Sequence, residues 1–205
     1  MGAALQVVLD TLDPRERLAF VLHDLFAVPF DEIAPVVEAS SAAARQLASR
    51  ARRRLRAASP QPVAASLTAR ADRQRAVVEA FFAAAREAQF QRLLELLDPN
   101  VMMRADAVAA RMGADDSLTG ADVVAKWISG RARGAVLAVV GDEPGAAWAV
   151  KGSVRVAFSF TITDEGRIAA INLIGDPAVL PDLEIEMTGR EATYAHRSAR
   201  RETTS

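Results

Sequence analysis

The sequence predicts two domains, an all-helical domain that carries a helix-turn-helix and an α+β domain after it. Two observations support this. In residues 1–56 the apolar residues recur at helical spacing, whereas four apolar runs after residue 135 are separated by Gly-containing turns, which is typical of strands. A stretch rich in Pro and Ala at residues 57–71 lies between the two textures and is interpreted as a linker. Helices followed by a series of strands indicate an α+β architecture for the second domain.

Composition excludes several classes of protein. With 205 residues, 51% of them apolar, the chain is long enough for one large domain or two small ones. It has no cysteine, which excludes disulfides, thiol nucleophiles and zinc–thiolate sites. No apolar run reaches the roughly 18 residues that span a bilayer, and the N-terminus lacks a signal-peptide pattern. A cytoplasmic protein without a membrane partner is therefore expected.

Stripes of apolar residues predict four short helices in the first domain. They run through residues 5–12, 18–25, 30–37 and 44–55. Asp13-Pro14 is an N-cap followed by a proline at the first helical position, and Ser40 or Ser41 is a good N-cap for the last helix. Each helix is too short to be stable alone, so we expect the four apolar faces to close one small core.

The last two of these helices form the predicted helix-turn-helix. Only Glu38-Ala39-Ser40 joins them, which favours a steep crossing and a projecting second helix. Between Ser40 and Arg56 there are six arginines and no acidic residue, as expected for a helix that binds an anionic partner. The alternative is a solvated arginine-rich helix, since the whole chain has 23 arginines and 2 lysines. The expected DNA-binding residues are Ser41, Arg45, Gln46, Ser49, Arg50, Arg52, Arg53, Arg54 and Arg56.

Three phrases narrow this interpretation. They are Leu12-Asp13-Pro14-Arg15-Glu16-Arg17, Phe30-Asp31-Glu32-Ile33-Ala34 and Arg45-Gln46-Leu47-Ala48-Ser49-Arg50-Ala51-Arg52-Arg53-Arg54-Leu55. Together they resemble region 4 of bacterial extracytoplasmic-function (ECF) sigma factors of the SigJ type. The resemblance implies that residues 1–56 recognise the promoter −35 element and contact the flap of RNA polymerase core.

The second domain begins with a predicted helix from Asp72 to Leu97, which the phrase Leu97-Asp98-Pro99-Asn100 is expected to end. A further helix is predicted at Gly120–Ser129. The predicted strands are Val101–Arg104, Val136–Val140, Ala146–Val150, Val154–Thr163 and Arg167–Ile174. Residues 188–205 are polar, without apolar periodicity, and are predicted to be a disordered tail.

The order of elements in residues 72–187 resembles the SnoaL-like cone, a curved antiparallel sheet around an apolar cavity. In SigJ-like sigma factors such a domain follows region 4, and the resemblance implies regulation in cis. Asp176-Pro177-Ala178-Val179-Leu180 keeps only the proline and leucine of the family phrase Asn-Pro-Asp-Lys-Leu, and Asp106 is all that remains of Asp-Gly-Gly-Gly-Lys. The candidate cavity or regulatory residues are Met103, Asp106, Trp127, Trp148, Phe158, Phe160, Asp176, Pro177 and Leu180.

Catalysis in the second domain is not expected. Residues 72–188 contain no histidine, tyrosine or cysteine, and an isomerase of this fold needs a carboxylate base opposed by a hydrogen-bonding acid. Asp106 is a candidate base without such a partner. We therefore expect no catalytic residue, metal or cofactor. The alternatives are a small-molecule sensor or a cyclase- or isomerase-like enzyme that uses the cavity, and a dimerisation module that makes the protein a homodimer.

The resemblance also implies a region 2, which opens the −10 element, before region 4. Since this chain starts at region 4, it is expected to be the C-terminal part of a longer sigma factor. A natural short protein is the alternative.

Overall fold

The computed structural model describes Leu9, residues 12–58 and residues 61–188. The chain forms two compact units, Met1–Gln74 and Arg75–Ser205. Each unit has its own apolar core. The predicted tail at 188–205 lies outside the described residues except for Thr188.

Unit 1 contains the helices predicted from the apolar stripes. They are α1 (Pro14–Phe20), a π-helical turn (Val21–Leu25), α2 (Phe30–Val36) and α3 (Ser41–Ala58). Asp13 caps α1 by accepting a 3.0 Å hydrogen bond from the backbone N–H of Arg15, and Pro14 is the first helical residue. The predicted helix at 5–12 lies mostly outside the described residues.

The core of unit 1 is built on the inner face of α3. Phe30, Ile33 and Val37 of α2 and its C-terminus pack against Ala44 and Ala48, while Phe20 packs against Ala51 and Leu55. Alanines at these positions allow the helices to approach closely, because they add little side-chain volume between the backbones. Burial of these side chains holds together helices that are too short to be stable in water alone.

The residues between the two predicted domains are more helical than the sequence suggests. A linker is predicted at 57–71, but residues 61–71 belong to helix α4 (Gln61–Arg86). Pro62 is the second residue of that helix, where a missing N–H breaks no helical hydrogen bond. The following residues, Val63–Ala71, are mostly good helix formers.

After α4, unit 2 contains three shorter helices, of 7, 5 and 8 residues. The predicted helix from Asp72 to Leu97 is interrupted at Ala88 (φ +54°), so that α5 (Phe90–Leu96) is separate. The short α6 (Ala107–Arg111) was not predicted, and α7 (Ala121–Ile128) confirms the helix expected at 120–129. A 3₁₀ turn follows at Ala132–Gly134.

Seven strands form one open sheet in the order β2-β1-β6-β5-β4-β3-β7. Most contain or overlap the predicted runs, whereas β2 and β7 are short strands without a sequence signal. Their bounds are β1 (Leu97–Ala105), β2 (Ser117–Thr119), β3 (Ala135–Val140), β4 (Glu143–Val150), β5 (Ser153–Ile162), β6 (Ile168–Ile174) and β7 (Ile185–Met187). The predicted antiparallel pairing is corrected at one place, because β1 and β6 run parallel. These strands are joined by a long crossover, which permits parallel pairing.

The core of unit 2 lies between the sheet and its helices. Phe81 and Phe82 of α4 meet Phe158 and Phe160 of β5 edge to face, with ring centroids 5.7–5.8 Å apart. This geometry is favourable for aromatic pairs. A smaller cluster that includes Val140, Ala157 and Leu183 packs beneath the segment after β6. None of the described helices has the length and hydropathy needed to cross a membrane.

Candidate nucleic-acid interface and cavity

A side chain from α1 fixes the turn of the helix-turn-helix. Arg15 donates hydrogen bonds of 2.9 Å from Nε to the carbonyl of Val37 and from Nη2 to that of Glu38. Glu38 has φ +50°, which is unfavourable for a residue with a Cβ. The N–H of Ala39 also returns to the carbonyl of Ala34 at 2.9 Å. Arg15 therefore satisfies the carbonyls at the end of α2 and holds the strained turn.

The start of α3 is capped by Ser40. Its Oγ accepts a 3.1 Å hydrogen bond from the N–H of Ala43, and its carbonyl accepts one of 2.8 Å from Ala44. Of the two serines predicted as caps, Ser40 is thus the N-cap, and Ser41 is the first helical residue. The cap and the Arg15 contacts together set the direction in which α3 leaves the turn.

Three of the residues expected to bind DNA are buried. Arg45, Ser49 and Arg52 are only 2%, 2% and 6% exposed. Their burial corrects the expectation that they face DNA, because the buried face of α3 is wider than its stripe of alanines and leucines. The guanidinium of Arg45 lies 4.9 Å from the ring centroid of Phe30, so an aromatic face accommodates this charge.

Arg52 has a carboxylate partner inside unit 1. Its Nη1 donates a 2.9 Å hydrogen bond to Oδ2 of Asp24 in the π-helical turn. Both side chains are more than nine-tenths buried. A buried charge of this kind needs its counter-charge, because desolvation of an unpaired ion costs several kcal/mol, on the order of 3–5 when one partner is removed. Arg52 therefore acts within the fold of unit 1.

Glu16 of α1 joins two further arginines of α3. It is 4% exposed and accepts from Nη1 of Arg54 at 2.7 Å, with Nε of Arg50 3.3 Å away. The two arginine side chains remain 55% and 50% exposed. They are therefore held by an intramolecular carboxylate and still accessible to a ligand.

The accessible residues of α3 form a narrower set than predicted. Nη2 of the exposed Arg53 donates to Oγ of Ser49 at 3.2 Å, which orients its guanidinium along the helix. Ser41, Gln46 and Arg56 are partly exposed. The predicted DNA-binding residues that solvent reaches are thus Ser41, Gln46, Arg50, Arg53, Arg54 and Arg56.

The polar residues of unit 1 that support α3 were not identified from the sequence. Glu16 lies two residues before the apolar stripe of residues 18–25 and Asp24 lies within it, and both acidic side chains are buried. An acidic residue beside an apolar stripe is a signal for a buried ion pair, since such residues are rarely buried without one. His23 is also buried; its Nδ1 lies 2.9 Å from the carbonyl of Val28 and its ring stacks on Phe30 at 3.8 Å.

Unit 2 contains a partly open cavity of about 220 Å³. Three of the predicted cavity residues, Trp127, Trp148 and Phe158, line it. The two other apolar candidates from the strands do not line it: Met103 is buried in the core, and Phe160 packs on Phe81 and Phe82. The remaining lining comes from Phe82, Ala109, Met112, Gly113, Ala114, Ile128, Arg131, Ala132, Gly134, Ala135, Val156 and Leu173.

Asp106 is used structurally. Its Oδ1 caps α6 by accepting from the N–H groups of Val108 (3.0 Å) and Ala109 (2.7 Å). Its Oδ2 accepts from the N–H groups of Gly175 (2.7 Å) and Asp176 (2.9 Å) just after β6. Because both oxygens are occupied by backbone amides, Asp106 is an anchor that ties α6 to the end of β6, and it does not line the cavity.

The segment predicted to be regulatory begins at this anchor. The side chain of Asp176 accepts from the N–H of Ala178 at 2.9 Å, and its carbonyl accepts from Val179 and Leu180. Pro177 is exposed, and Leu180 packs against the small core cluster beneath the segment. The two phrases matched to family motifs are therefore in direct contact, although neither Asp176, Pro177 nor Leu180 lines the cavity.

Within the described part of the chain no cluster of histidine and carboxylate side chains has the grouping of a metal site. No sequence-predicted residue is therefore assigned to a metal.

Comparison with known proteins gives one family match and several relatives. Residues 2–55 match the family model described as Sigma-70, region 4. Over 190 residues, 91% of this chain, the sequence is 31% identical to the probable ECF RNA polymerase sigma factor SigI of Mycobacterium tuberculosis. Over 128 residues, 62% of this chain and 39% of the relative, it is 41% identical to the ECF RNA polymerase sigma factor SigJ of that organism.

The solved structures include a crystal structure of SigJ from M. tuberculosis. It is 32% identical in sequence to this chain, covers 88% of this chain and 65% of the crystallised one, and superposes with a TM-score of 0.44. The chain spans 62% of the length of the SigI relative that it matches.

Proposed function

From the match of residues 2–55 to sigma-70 region 4 and the similarity of the chain to ECF RNA polymerase sigma factors, we propose that α3 recognises promoter −35 DNA. We propose also that unit 2 regulates that recognition in cis. The partners proposed are the −35 element and the flap of RNA polymerase core, and the place of action is the cytoplasm. The observation that carries the proposal is the exposed arginine face of α3, mounted on a turn fixed by Arg15 and Ser40.

The accessible side chains divide by the contacts that they suit. Gln46, Arg50 and Arg53 are spaced by four and three residues, so they lie on one face of α3. From that face they can reach successive base edges in the major groove. Ser41, Arg54 and Arg56 flank this row and are assigned to phosphates. Arg45, Ser49 and Arg52 are assigned to the fold of unit 1, because they are buried.

A non-enzymatic role is favoured for unit 2. Asp106, the candidate base, has both carboxylate oxygens engaged by four backbone N–H groups. It is also absent from the residues that line the cavity, where a substrate would bind. This supports regulation over isomerase- or cyclase-like chemistry.

DNA binding is tested with the full chain and a fluorescent duplex selected from a randomised pool. Fluorescence anisotropy is measured between about 50 and 200 mM salt. For each phosphate contact that is removed, the slope of log K against log salt falls by about 0.9. We expect Arg53→Ala and Arg50→Ala to weaken binding about tenfold each, since a good bidentate base contact contributes about 1–3 kcal/mol.

Arg92→Ala is the matched control. Arg92 is an exposed helical arginine of unit 2 that pairs with Glu95 at 2.6 Å, and its removal should leave DNA affinity unchanged. Salt-independent binding, or equal losses from Arg53→Ala and Arg92→Ala, would contradict the proposal. Arg45→Ala is expected to lower stability while the folded variant keeps its affinity for DNA.

A further inference from the structure

One residue that lines the cavity of unit 2 has a buried hydrogen-bond donor without a partner. Nε1 of Trp127 is buried and has no hydrogen-bond partner among the described residues. A buried N–H without an acceptor costs about 1–3 kcal/mol, so such groups are normally paired. Trp127 lines the cavity, and an acceptor atom of a bound molecule can satisfy this N–H.

The charge in the lining of the cavity is positive. Among the described residues that line it, Arg131 is the only charged one, and its guanidinium lies 5.0 Å from the ring centroid of Trp127. No aspartate or glutamate is present in the lining. A molecule with an acceptor oxygen is therefore favoured at this end of the cavity, and a cationic molecule is disfavoured.

The rest of the lining is apolar and sets the size of the ligand. Phe158 and Phe82 supply aromatic faces, and the indole of Trp148 lies against Gly134, where a Cβ would be 3.1 Å from the ring. A dry apolar cavity of roughly 150 Å³ is known to hold benzene. At about 220 Å³ this cavity has room for one aromatic ring with a small substituent.

We propose that unit 2 binds a small aromatic molecule, neutral or anionic, whose oxygen accepts a hydrogen bond from Trp127 Nε1 beside Arg131. Its ring contacts Trp148 and Phe158. This site is separate from the DNA-binding face of α3 and lies wholly within unit 2. The proposal therefore stands or fails independently of promoter recognition.

The sequence supplies a direct reporter. The chain has two tryptophans, Trp127 and Trp148, and both line the cavity. A ¹H–¹⁵N spectrum of the full chain thus contains two indole N–H peaks, which Trp127→Phe assigns. The spectrum is recorded during titration with four probes of similar size: acetophenone, benzoate, toluene and benzylamine.

Acetophenone and benzoate are expected to shift the Trp127 indole proton downfield, with saturation at millimolar concentration or below. Toluene should bind without this downfield shift, and benzylamine at least tenfold more weakly than acetophenone. Trp127→Phe should weaken acetophenone about tenfold, measured at the Trp148 peak, and leave toluene unchanged.

The role of Arg131 in binding an anionic ligand is tested with a separate pair of variants. Arg131→Met should weaken benzoate several-fold and leave acetophenone unchanged, whereas Arg133→Met is the matched control, since Arg133 is exposed and does not line the cavity. The absence of a saturable shift with any of the four probes overturns the proposal. Equal binding of benzylamine and acetophenone, or an unchanged acetophenone affinity in Trp127→Phe, overturns the assigned ligand chemistry.

Discussion

Oδ2 of Asp24 lies 2.9 Å from Nη1 of Arg52, and each of the two side chains is less than 10% exposed. The pair joins the π-helical turn to the middle of α3, between residues 28 positions apart in sequence. Arg52, which was expected from the sequence to bind DNA, is therefore part of the core of unit 1.

Removing one member of this pair should destabilise unit 1 strongly. Arg52→Met leaves the carboxylate of Asp24 buried without its partner, which costs about 3–5 kcal/mol. Urea unfolding followed by far-ultraviolet circular dichroism measures the loss. The double variant Asp24→Leu/Arg52→Met is expected to recover most of it, because it removes both charges. A double variant as unstable as the single one would show that the pair is not the cause.

Glu16→Gln should tighten DNA binding. The amide oxygen still accepts from Arg54, but the negative charge that competes with DNA phosphates beside Arg50 and Arg54 is gone. An affinity gain of about two- to fivefold is expected at low salt, and a smaller gain at high salt, because screening weakens the charge effect. Anisotropy at two salt concentrations measures it. Weaker binding would instead assign Glu16 the role of positioning the arginines.

Glu95→Gln is the control for this experiment. Glu95 also accepts from an arginine, Arg92 at 2.6 Å, but in unit 2 and away from α3. Its substitution should change neither DNA affinity nor, beyond about 0.5 kcal/mol, stability.

Asp106→Ala should loosen both α6 and the chain after β6. The variant loses the N-cap of α6, which contributes about 1 kcal/mol, and two charge-assisted hydrogen bonds to Gly175 and Asp176. Hydrogen exchange followed by mass spectrometry should show faster exchange in peptides that cover residues 107–112 and 175–180. A change confined to one of the two segments would contradict the anchoring role of this carboxylate.

Gly145→Ala should destabilise the sheet. A Cβ at Gly145 would lie 2.5 Å from the backbone oxygen of Phe158 on β5 and 2.9 Å from Cγ2 of Val140. Overpacking of this kind costs about 1–3 kcal/mol. Gly166→Ala is the comparison, because it has φ +80° and no atom nearer than 4.0 Å, so only backbone strain of about 1–2 kcal/mol applies. Thermal unfolding should rank Gly145→Ala below Gly166→Ala.

Local signals in the sequence were sufficient for most elements. Asp13-Pro14 and Ser40 marked helix starts because a cap acts within three residues of itself, and the helix predicted at Gly120–Ser129 is present as α7. The helical period also identified the inner face of α3. It did not reveal how wide that face is, because the width depends on Phe30 and Asp24, which belong to other elements.

Long-range contacts of the candidate sites could not be predicted in this way. Asp106 and Gly175 are 69 positions apart, and the hydrogen bond between them follows from the parallel pairing of β1 with β6. The cavity was predicted through Trp127, Trp148 and Phe158. Met103 and Phe160 share the apolar character of those residues, and Phe160 even lies two residues from Phe158 on the same strand, so sequence pattern does not separate lining from core.

The parallel pairing of β1 with β6 also sets the order in which the two units can fold during synthesis. Leu97 and Ala105 on β1 find their partners in Ile168 and Leu173, so the central strands of the sheet cannot join until Ile174 has been synthesised. The helix-turn-helix is complete by Ala58, about 115 residues earlier. At about 5–20 residues per second, translation leaves roughly 6–25 s between the two events. A nascent chain can therefore carry a folded helix-turn-helix on the ribosome well before the unit proposed to restrain it exists.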